Sequence, residues 1–543
     1  MSVSVAEVPL LGVGESVDYK GGRVSRSKSG GWRSASFIIG VEIVERFAYY
    51  GIGLNLISYL TGPLRLSTAA GCTERERLAR DMAKKGLGLL TLSAVLPSLS
   101  PPDCRNNDKI TSCPPPSPFQ VGFFFFSLYL VAVAVGGHKP CVQAFGADQF
   151  DGRDPEECKS KSSFFNWWYF GTCAGTTATL LILTYIQDNL NWGLGFGIPC
   201  ISMAVALVVF LLGTKTYRYS NEEDEKSPLM RIGQVFVAAA RNWRTTPSAV
   251  IIEEEAGEMP PQQGAHQFKF LNKALISVSS SSDGPKKDRT ACSISEVEEA
   301  KGVLRLVPIW ATCLVYAIVF AQSSTFFTKQ GSTMDRSIGS GFQIPPAMLQ
   351  TIITLTIVLF IPIYDRVFVP IVRGFTRKPS GITMLQRIGI GMLLSMISMV
   401  IAAIVEKMRL KTALDFGLVD IPQATVPMSM WWLAPQYIMF GVADVFTIVG
   451  LQEFFYDQVP DGLKSVGLSL YLSIIGIGSF LSSFLISAIE EATSGDGRDS
   501  WFTSNLNRAH LDYFYWLLSG LSAIGLAIYL YFAKSYIYNR VAI

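Results

Sequence analysis

Charge is the first thing this chain lacks. Only 16% of its 543 residues are Asp, Glu, Lys or Arg, against about 25% in an ordinary soluble domain. The shortage is concentrated. No acidic or basic side chain occurs in Pro114–His138, Ser163–Gln187, Asn189–Thr214, Leu306–Thr328, Ser337–Tyr364, Ile388–Val405, Ile421–Ala443, Ser465–Ile489 or Tyr513–Ala533. Most of these runs reach the ~20 residues that carry a helix across a hydrocarbon core. A soluble globular protein is excluded. So is a membrane β-barrel, because alternating apolar-out, polar-in strands are missing. The chain reads as an all-α polytopic membrane protein.

Other absences narrow the function. There are three histidines, His138, His266 and His510, and they form no cluster, so metal chemistry is not expected. Nine cysteines are scattered without metal-type spacing. Cys104 and Cys113 share one short loop; a bridge and two free thiols both fit. No Ser/His/Asp nucleophile motif, Walker loop or dinucleotide fingerprint occurs. An enzyme and an ATP-driven pump are therefore disfavoured, and no cofactor is expected. The net charge of +3 comes with no basic motif, which leaves nucleic-acid binding without support. Residues 1–33 are polar and basic, with no apolar core before Phe37, so no cleavable signal peptide is expected.

What is present is three charges inside one apolar stretch. Glu42-Ile43-Val44-Glu45-Arg46 interrupts the span from Phe37 to Leu64. At the centre of a membrane helix each charge costs roughly 2.5–3.5 kcal/mol. On a helix, positions 42, 45, 46 and 49 share one face, so Glu42, Glu45, Arg46 and Tyr49 form one polar stripe. A carboxylate paired with Arg46 stays ionised; loss of that partner raises its pKa. Such a stripe suits a proton-coupled carrier. A packing salt-bridge cluster is the plainer alternative, and the cost of burying three charges weighs against it.

A polar segment, Lys215–Lys301, divides the apolar spans. Six follow it. Four full spans and one short one, Gly86–Ser100, precede it. The short piece would rise only about 22 Å as helix, less than the ~30 Å core, and the charged Thr73–Lys85 lies just before it. Placing the N-terminus in the cytosol puts the basic stretches Arg153–Lys161, Lys215–Lys301 and Arg366–Lys378 inside, as the positive-inside rule asks. Two segments fit poorly: Thr73–Lys85 and Glu406–Asp420 would lie outside although each is basic-rich. Thr73–Lys85 and Gly86–Leu99 are expected to join as one non-crossing helix.

Further motifs follow the Glu-x-x-Glu-Arg signature in order: Gly137-His-Lys-Pro-Cys141, Phe145-Gly-Ala-Asp-Gln-Phe-Asp151, Phe164-Phe-Asn-Trp-Trp168, Phe326-Phe-Thr-Lys-Gln-Gly331 and Gly450-Leu-Gln-Glu-Phe-Phe-Tyr456. With these the chain resembles the proton-coupled oligopeptide transporter family, most closely its plant branch, the nitrate/peptide transporter family, over about residues 31–540. The resemblance implies a major-facilitator fold of two six-helix bundles. Relative to it, the second helix and part of the third are missing from the first bundle. The implied organisation is a cytosolic N-terminal segment 1–35, an incomplete bundle 36–212, a cytosolic linker 213–301, a six-helix bundle 302–533 and a cytosolic tail 534–543.

The resemblance also assigns roles. Glu42, Glu45 and Arg46 would take part in proton coupling, with Lys139 in the central cavity beside them; otherwise Lys139 is a snorkelling lysine at a helix end. Pro140 could bend that helix and aim the ammonium inward. Asp444, in the tenth family helix, would face the cavity and pair with Lys139 or Arg46, while Glu453 would cap the cytosolic end. Tyr49, Phe320, Gln322 and Asp444 are the candidate substrate contacts. Phe320 stands where nitrate-transporting relatives can carry histidine, and a phenyl ring donates no hydrogen bond to nitrate; a core or lipid-facing place for it is the alternative. The expected function is proton-coupled transport of a small polar or anionic solute: a di- or tripeptide, nitrate or a carboxylated metabolite. The partners are that solute, protons and the bilayer of a plasma or vacuolar membrane. The rival reading is a non-transporting, truncated sensor or decoy.

Overall fold

In the computed structural model of the protein the described residues are 16–18, 22, 29–53, 117–151, 154–189, 192–220, 228–243, 268–275, 292–338, 342–376, 381–421, 424–459, 463–493, 500–503 and 505–538. The expected non-crossing helix over 73–99, the Cys104–Cys113 loop and most of the linker lie outside them.

The architecture is helical. In the first half run α1 (Gly31–Gly53), α2 (Pro118–Ala147), α3 (Pro155–Asn189) and α4 (Trp192–Gly213). The amphipathic α5 (Pro228–Arg241) lies in the linker. The second half holds α6 (Ile294–Gln322), the short α7 (Phe326–Ser332), α8 (Thr351–Ile363), α9 (Val369–Thr376), α10 (Met384–Asp415), α11 (Ala434–Asp457), α12 (Lys464–Thr493) and α13 (Leu511–Ser535). Seven helices among the described residues are long and apolar enough to cross a membrane, six of them after the linker. The strands are two-residue pairings; one joins Ser16–Val17 to Tyr219–Ser220.

Local sequence explains where helices begin. Ser117 with Gln120, Ser293 with Glu296 and Thr383 with Gln386 form reciprocal capping boxes at α2, α6 and α10, each satisfying two otherwise unpaired donors. Pro362, near the end of α8, precedes a π-helical turn at Tyr364–Phe368 that leads into α9. Proline removes a backbone donor and loosens the helical ladder, and such turns occur often at functional sites.

Exposure sorts the faces. On α4, Ile201, Val205, Val208 and Leu212 form an exposed apolar stripe at helical spacing, which suits lipid. The opposite case is α11, where every residue from Ala443 to Tyr456 is buried. A helix covered all round presents its charges to protein, not to hydrocarbon. The larger hydrophobic cluster includes Ala35, Ala144 and Phe164 of the first half with Ile309, Phe455 and Leu468 of the second. The halves are therefore packed together at the end where α1 and α6 begin and α11 finishes. That end also carries the linker. Just past α4, Tyr217 donates to the Phe210 carbonyl at 3.0 Å, and burial pushes its hydroxyl up to about 12.

Candidate functional site

The polar stripe of α1 faces protein. Glu42 and Glu45 are 2% and 6% exposed, and the Arg46 side chain is 12% exposed. Arg46 Nε donates to Glu42 Oε1 one helical turn away, the i, i+4 geometry expected of the motif. Thr172 of α3 approaches the same carboxylate oxygen at 3.3 Å. The helices can come this close because of Gly175: a Cβ there would stand 2.5 Å from the Ile43 carbonyl oxygen and 2.9 Å from Arg46 Cβ. Only glycine allows the approach. Thr179 of α3 then donates to the Phe47 carbonyl at 3.0 Å. Tyr49 and Lys139 lie on α1 and α2; their side chains are outside the described residues.

Asp444 lies on α11 of the second half. It is 2% exposed and accepts from the Tyr316 hydroxyl of α6, with Tyr169 of α3 also against it. Cys173, one turn after Tyr169, lies within electrostatic reach of both Asp444 and Arg46. Two polar groupings, Glu42–Arg46 on α1 and Asp444 with Tyr316 and Tyr169, thus lie on either side of Cys173. Phe320 is half-buried beside the second, its ring 6.4 Å from Tyr316 and 6.1 Å from Phe440. Gln322 is fully buried; its amide nitrogen donates to the Ile318 carbonyl and to Ser482, each at 2.8 Å. The structure therefore gathers Glu42, Arg46, Asp444 and Phe320 around one region, with Gln322 farther along α6 and already hydrogen-bonded.

A second constellation closes the linker end. Arg387 of α10 is 3% exposed. It donates to Asn166 of α3 at 2.7 Å and to the Val445 carbonyl at 2.9 Å, lies 3.6 Å from Glu453 and covers the Tyr364 ring at 4.4 Å. Glu453 is thus a buried, paired carboxylate rather than an exposed cap. Asp365, in the π-helical turn, accepts from Ser163, Asn166 and Trp167 of α3 at 2.7, 2.8 and 3.2 Å. Lys161 of α3 meets Asp457 of α11 at 2.7 Å with both side chains 9% exposed. Asp148 takes the Tyr456 hydroxyl and Lys464 Nζ, the latter at 3.1 Å. Of these contacts, Arg387–Asn166, those of Asp365, Lys161–Asp457 and those of Asp148 join first half to second, while Val445, Glu453 and Tyr364 hold Arg387 within the second. The sequence marks some of their surroundings, in Phe145–Asp151 and Phe164–Trp168, but not the pairings. The one local signal for Asp365 is Pro362, three residues earlier.

Among the described residues no cluster of His, Cys, Asp or Glu could hold a metal ion. The arrangement offers paired carboxylates, a buried guanidinium and tyrosine hydroxyls at a contact between two bundles. Groups of these kinds can exchange protons and can hydrogen-bond a polar solute.

Comparison with known proteins agrees. A family model described as PTR2, the POT family, matches residues 84–502. The Arabidopsis thaliana protein NRT1/PTR family 5.10 is 60% identical, with 99% of this chain and 98% of the relative aligned. NRT1/PTR family 5.13 from the same plant is 51% identical over 97% of each. An auto-inhibited POT family peptide transporter superposes with a TM-score of 0.58 at 18% identity, covering 94% of this chain and 98% of the other. A POT family transporter in complex with 5-aminolevulinic acid gives 0.55 at 16%, covering 93% and 96%. These structures establish the fold, of the major-facilitator type; the family match and the close plant relatives establish the lineage. The chain is an integral, multi-pass membrane protein of the POT family, in its NRT1/PTR branch, and so a transporter rather than an enzyme.

Proposed function

We propose that this transporter is a proton-coupled carrier of a small carboxylated organic solute, working by alternating access between its two halves. The observation that carries the reading is the pair of buried ionisable groupings between the halves, Glu42 with Arg46 and Asp444 with Tyr316. Ionisable groups at membrane depth are costly and are retained where they serve a pathway. Arg46 supplies a cation for a carboxylate. When a solute carboxylate takes that guanidinium, Glu42 loses its partner and its proton affinity rises, so solute and proton load together. Lys139 adds a second cation to the cavity, and Tyr49 a hydroxyl. Phe320, beside Tyr316 and Phe440, offers an apolar wall and no hydrogen-bond donor. An organic solute with an apolar part fits that wall better than nitrate does. One solved POT structure holds 5-aminolevulinic acid, a solute of the proposed kind.

In this reading the linker end is cytosolic and the membrane is that of the cell surface or the vacuole. The same reading has the first bundle lacking its second helix. The aligned lengths of 566 and 575 positions with two relatives exceed the 543 residues of this chain, which supports a deletion. The purified protein in liposomes tests the proposal. A pH gradient with the outside acidic should drive uptake of a dipeptide or a small amino acid in the wild type. Glu45→Gln should abolish the driven uptake and retain exchange, and Lys139→Gln should eliminate both without loss of fold. Gradient-independent uptake by the wild type would refute proton coupling. No uptake of any tested solute would favour the decoy reading.

A further inference from the structure

The closed linker end is not solid. A cavity of about 230 Å³ lies between the halves, walled by α3, the π-helical turn, α9, α10 and α11. Three cations line it, Lys159, Arg373 and Arg387, together with two carboxylates, Asp365 and Glu453. The carboxylates are committed. Asp365 already accepts three side-chain donors, and Glu453 faces the Arg387 guanidinium. The cations are unequally used: Arg387 already gives Nη2 to Asn166 and the Val445 carbonyl and faces Glu453 with Nη1, while Arg373 and Lys159 are less engaged. Nε of Arg387 and Nε of Arg373 are both sealed from solvent without an acceptor, and Arg387 as a whole is 3% exposed. Both Nε atoms are covered and do not themselves open on the cavity; what the lining offers an anion is the charge of Arg373 and Lys159, with Arg387 beside them. Lys159 is held only by Glu156, whose side chain is 78% exposed, an exchangeable pair. Helix α10 begins at Met384 on the same wall, which turns the positive end of its dipole toward the cavity.

We propose that this cavity binds a phosphate dianion, held by Lys159 of the first half and by Arg373 and Arg387 of the second. Guanidinium groups take phosphate oxygens through paired, charge-assisted N–H bonds. A ligand that touches both halves binds only while this end is closed, so it shifts the population toward the closed-end state and slows the cycle. The braking effect rests on the transport reading; the binding site does not. The phosphate can arrive free or as the headgroup of a phosphorylated lipid. The second route has a structural opening, because Ile371 and Phe375 flank Arg373 on α9 and are 56% and 86% exposed, placing an apolar face beside the cavity wall.

The test uses the full-length protein in phosphatidylcholine nanodiscs, reading its unfolding temperature without any transport step. One arm adds inorganic phosphate; the other includes phosphatidylinositol 4,5-bisphosphate in the disc. Stabilisation of the wild type by inorganic phosphate identifies a soluble ligand, and stabilisation by the lipid alone identifies a headgroup. In either case Arg373→Gln should weaken the half-saturating concentration about tenfold, equivalent to roughly 1.4 kcal/mol. Lys159→Gln, at an exposed side chain, should weaken it too and serves if Arg373→Gln fails to fold. No stabilisation in either arm, or equal stabilisation of the wild type and both variants, overturns the proposal. Because no uptake is measured, that failure is separate from failure of the carrier reading.

Discussion

Glu42 and Arg46 are held in place by what α3 leaves out. Gly175 lets the α1 backbone within contact distance, and Thr172 then reaches Glu42. Gly175→Val should push the helices apart, costing about 1–3 kcal/mol by overpacking, and should impair transport more than expression. The check is uptake normalised to the amount of folded, monodisperse protein. Uptake per folded molecule equal to the wild type would show that the close approach is not needed for coupling. At this scale the sequence was readable for the Glu42–Arg46 pair, because an i, i+4 spacing on one helix puts both on a common face. It was not readable for Arg387. That arginine directly precedes the charge-free run Ile388–Val405 and so looks like a loop-end cation. Its partner Asn166 is 221 positions away, and no periodicity along a chain reports a pairing of that kind.

Whole elements were more legible than their partners. Each charge-free run after the linker overlaps one of the six spans there, built on α6, α8, α10, α11, α12 and α13, since length and apolarity are all a span requires. The basic stretch Glu406–Asp420 looked misplaced on the outer side, and the structure accounts for one of its three cations, Arg409, while Lys407 and Lys411 are exposed. Arg409 and Glu406 are both fully buried at the far end of α10. Arg409 binds Glu406 at 2.7 and 2.9 Å, Asn507 at 2.8 Å and the Leu506 carbonyl at 2.7 Å. A cation neutralised inside the fold does not count as a loop charge. This cluster ties α10 to the segment leading into α13. Arg409→Met should destabilise by about 3–5 kcal/mol, because it strands the Glu406 carboxylate. The double change Glu406→Gln with Arg409→Met should recover much of that loss. Unfolding temperatures of the three proteins check the pattern, and a double variant no better than the single one would refute it.

At the scale of the molecule, the two halves meet through contacts concentrated at one end. Lys161 with Asp457, Arg387 with Asn166, Asp365 with Ser163 and Asp148 with Lys464 all cross the boundary there. The described state is therefore closed at the linker end. Alternating access requires these contacts to break and reform in each cycle, so they set the balance between the two states. The Lys161–Asp457 pair is the most direct lever, being 2.7 Å apart and shielded on both sides. Removing one partner leaves the other charge buried and unpaired, a cost of about 3–5 kcal/mol borne by the closed state. A shift of that size moves a two-state population by two to three orders of magnitude, at about 1.4 kcal/mol per decade. Cys158 lies one turn before Lys161 and is partly buried, which makes it a reporter. With the other cysteines replaced, Asp457→Ala should speed maleimide labelling of Cys158 from the linker side. The charge exchange Lys161→Asp with Asp457→Lys should slow it again. Labelling that is unchanged by Asp457→Ala would mean that the pair does not hold this end shut.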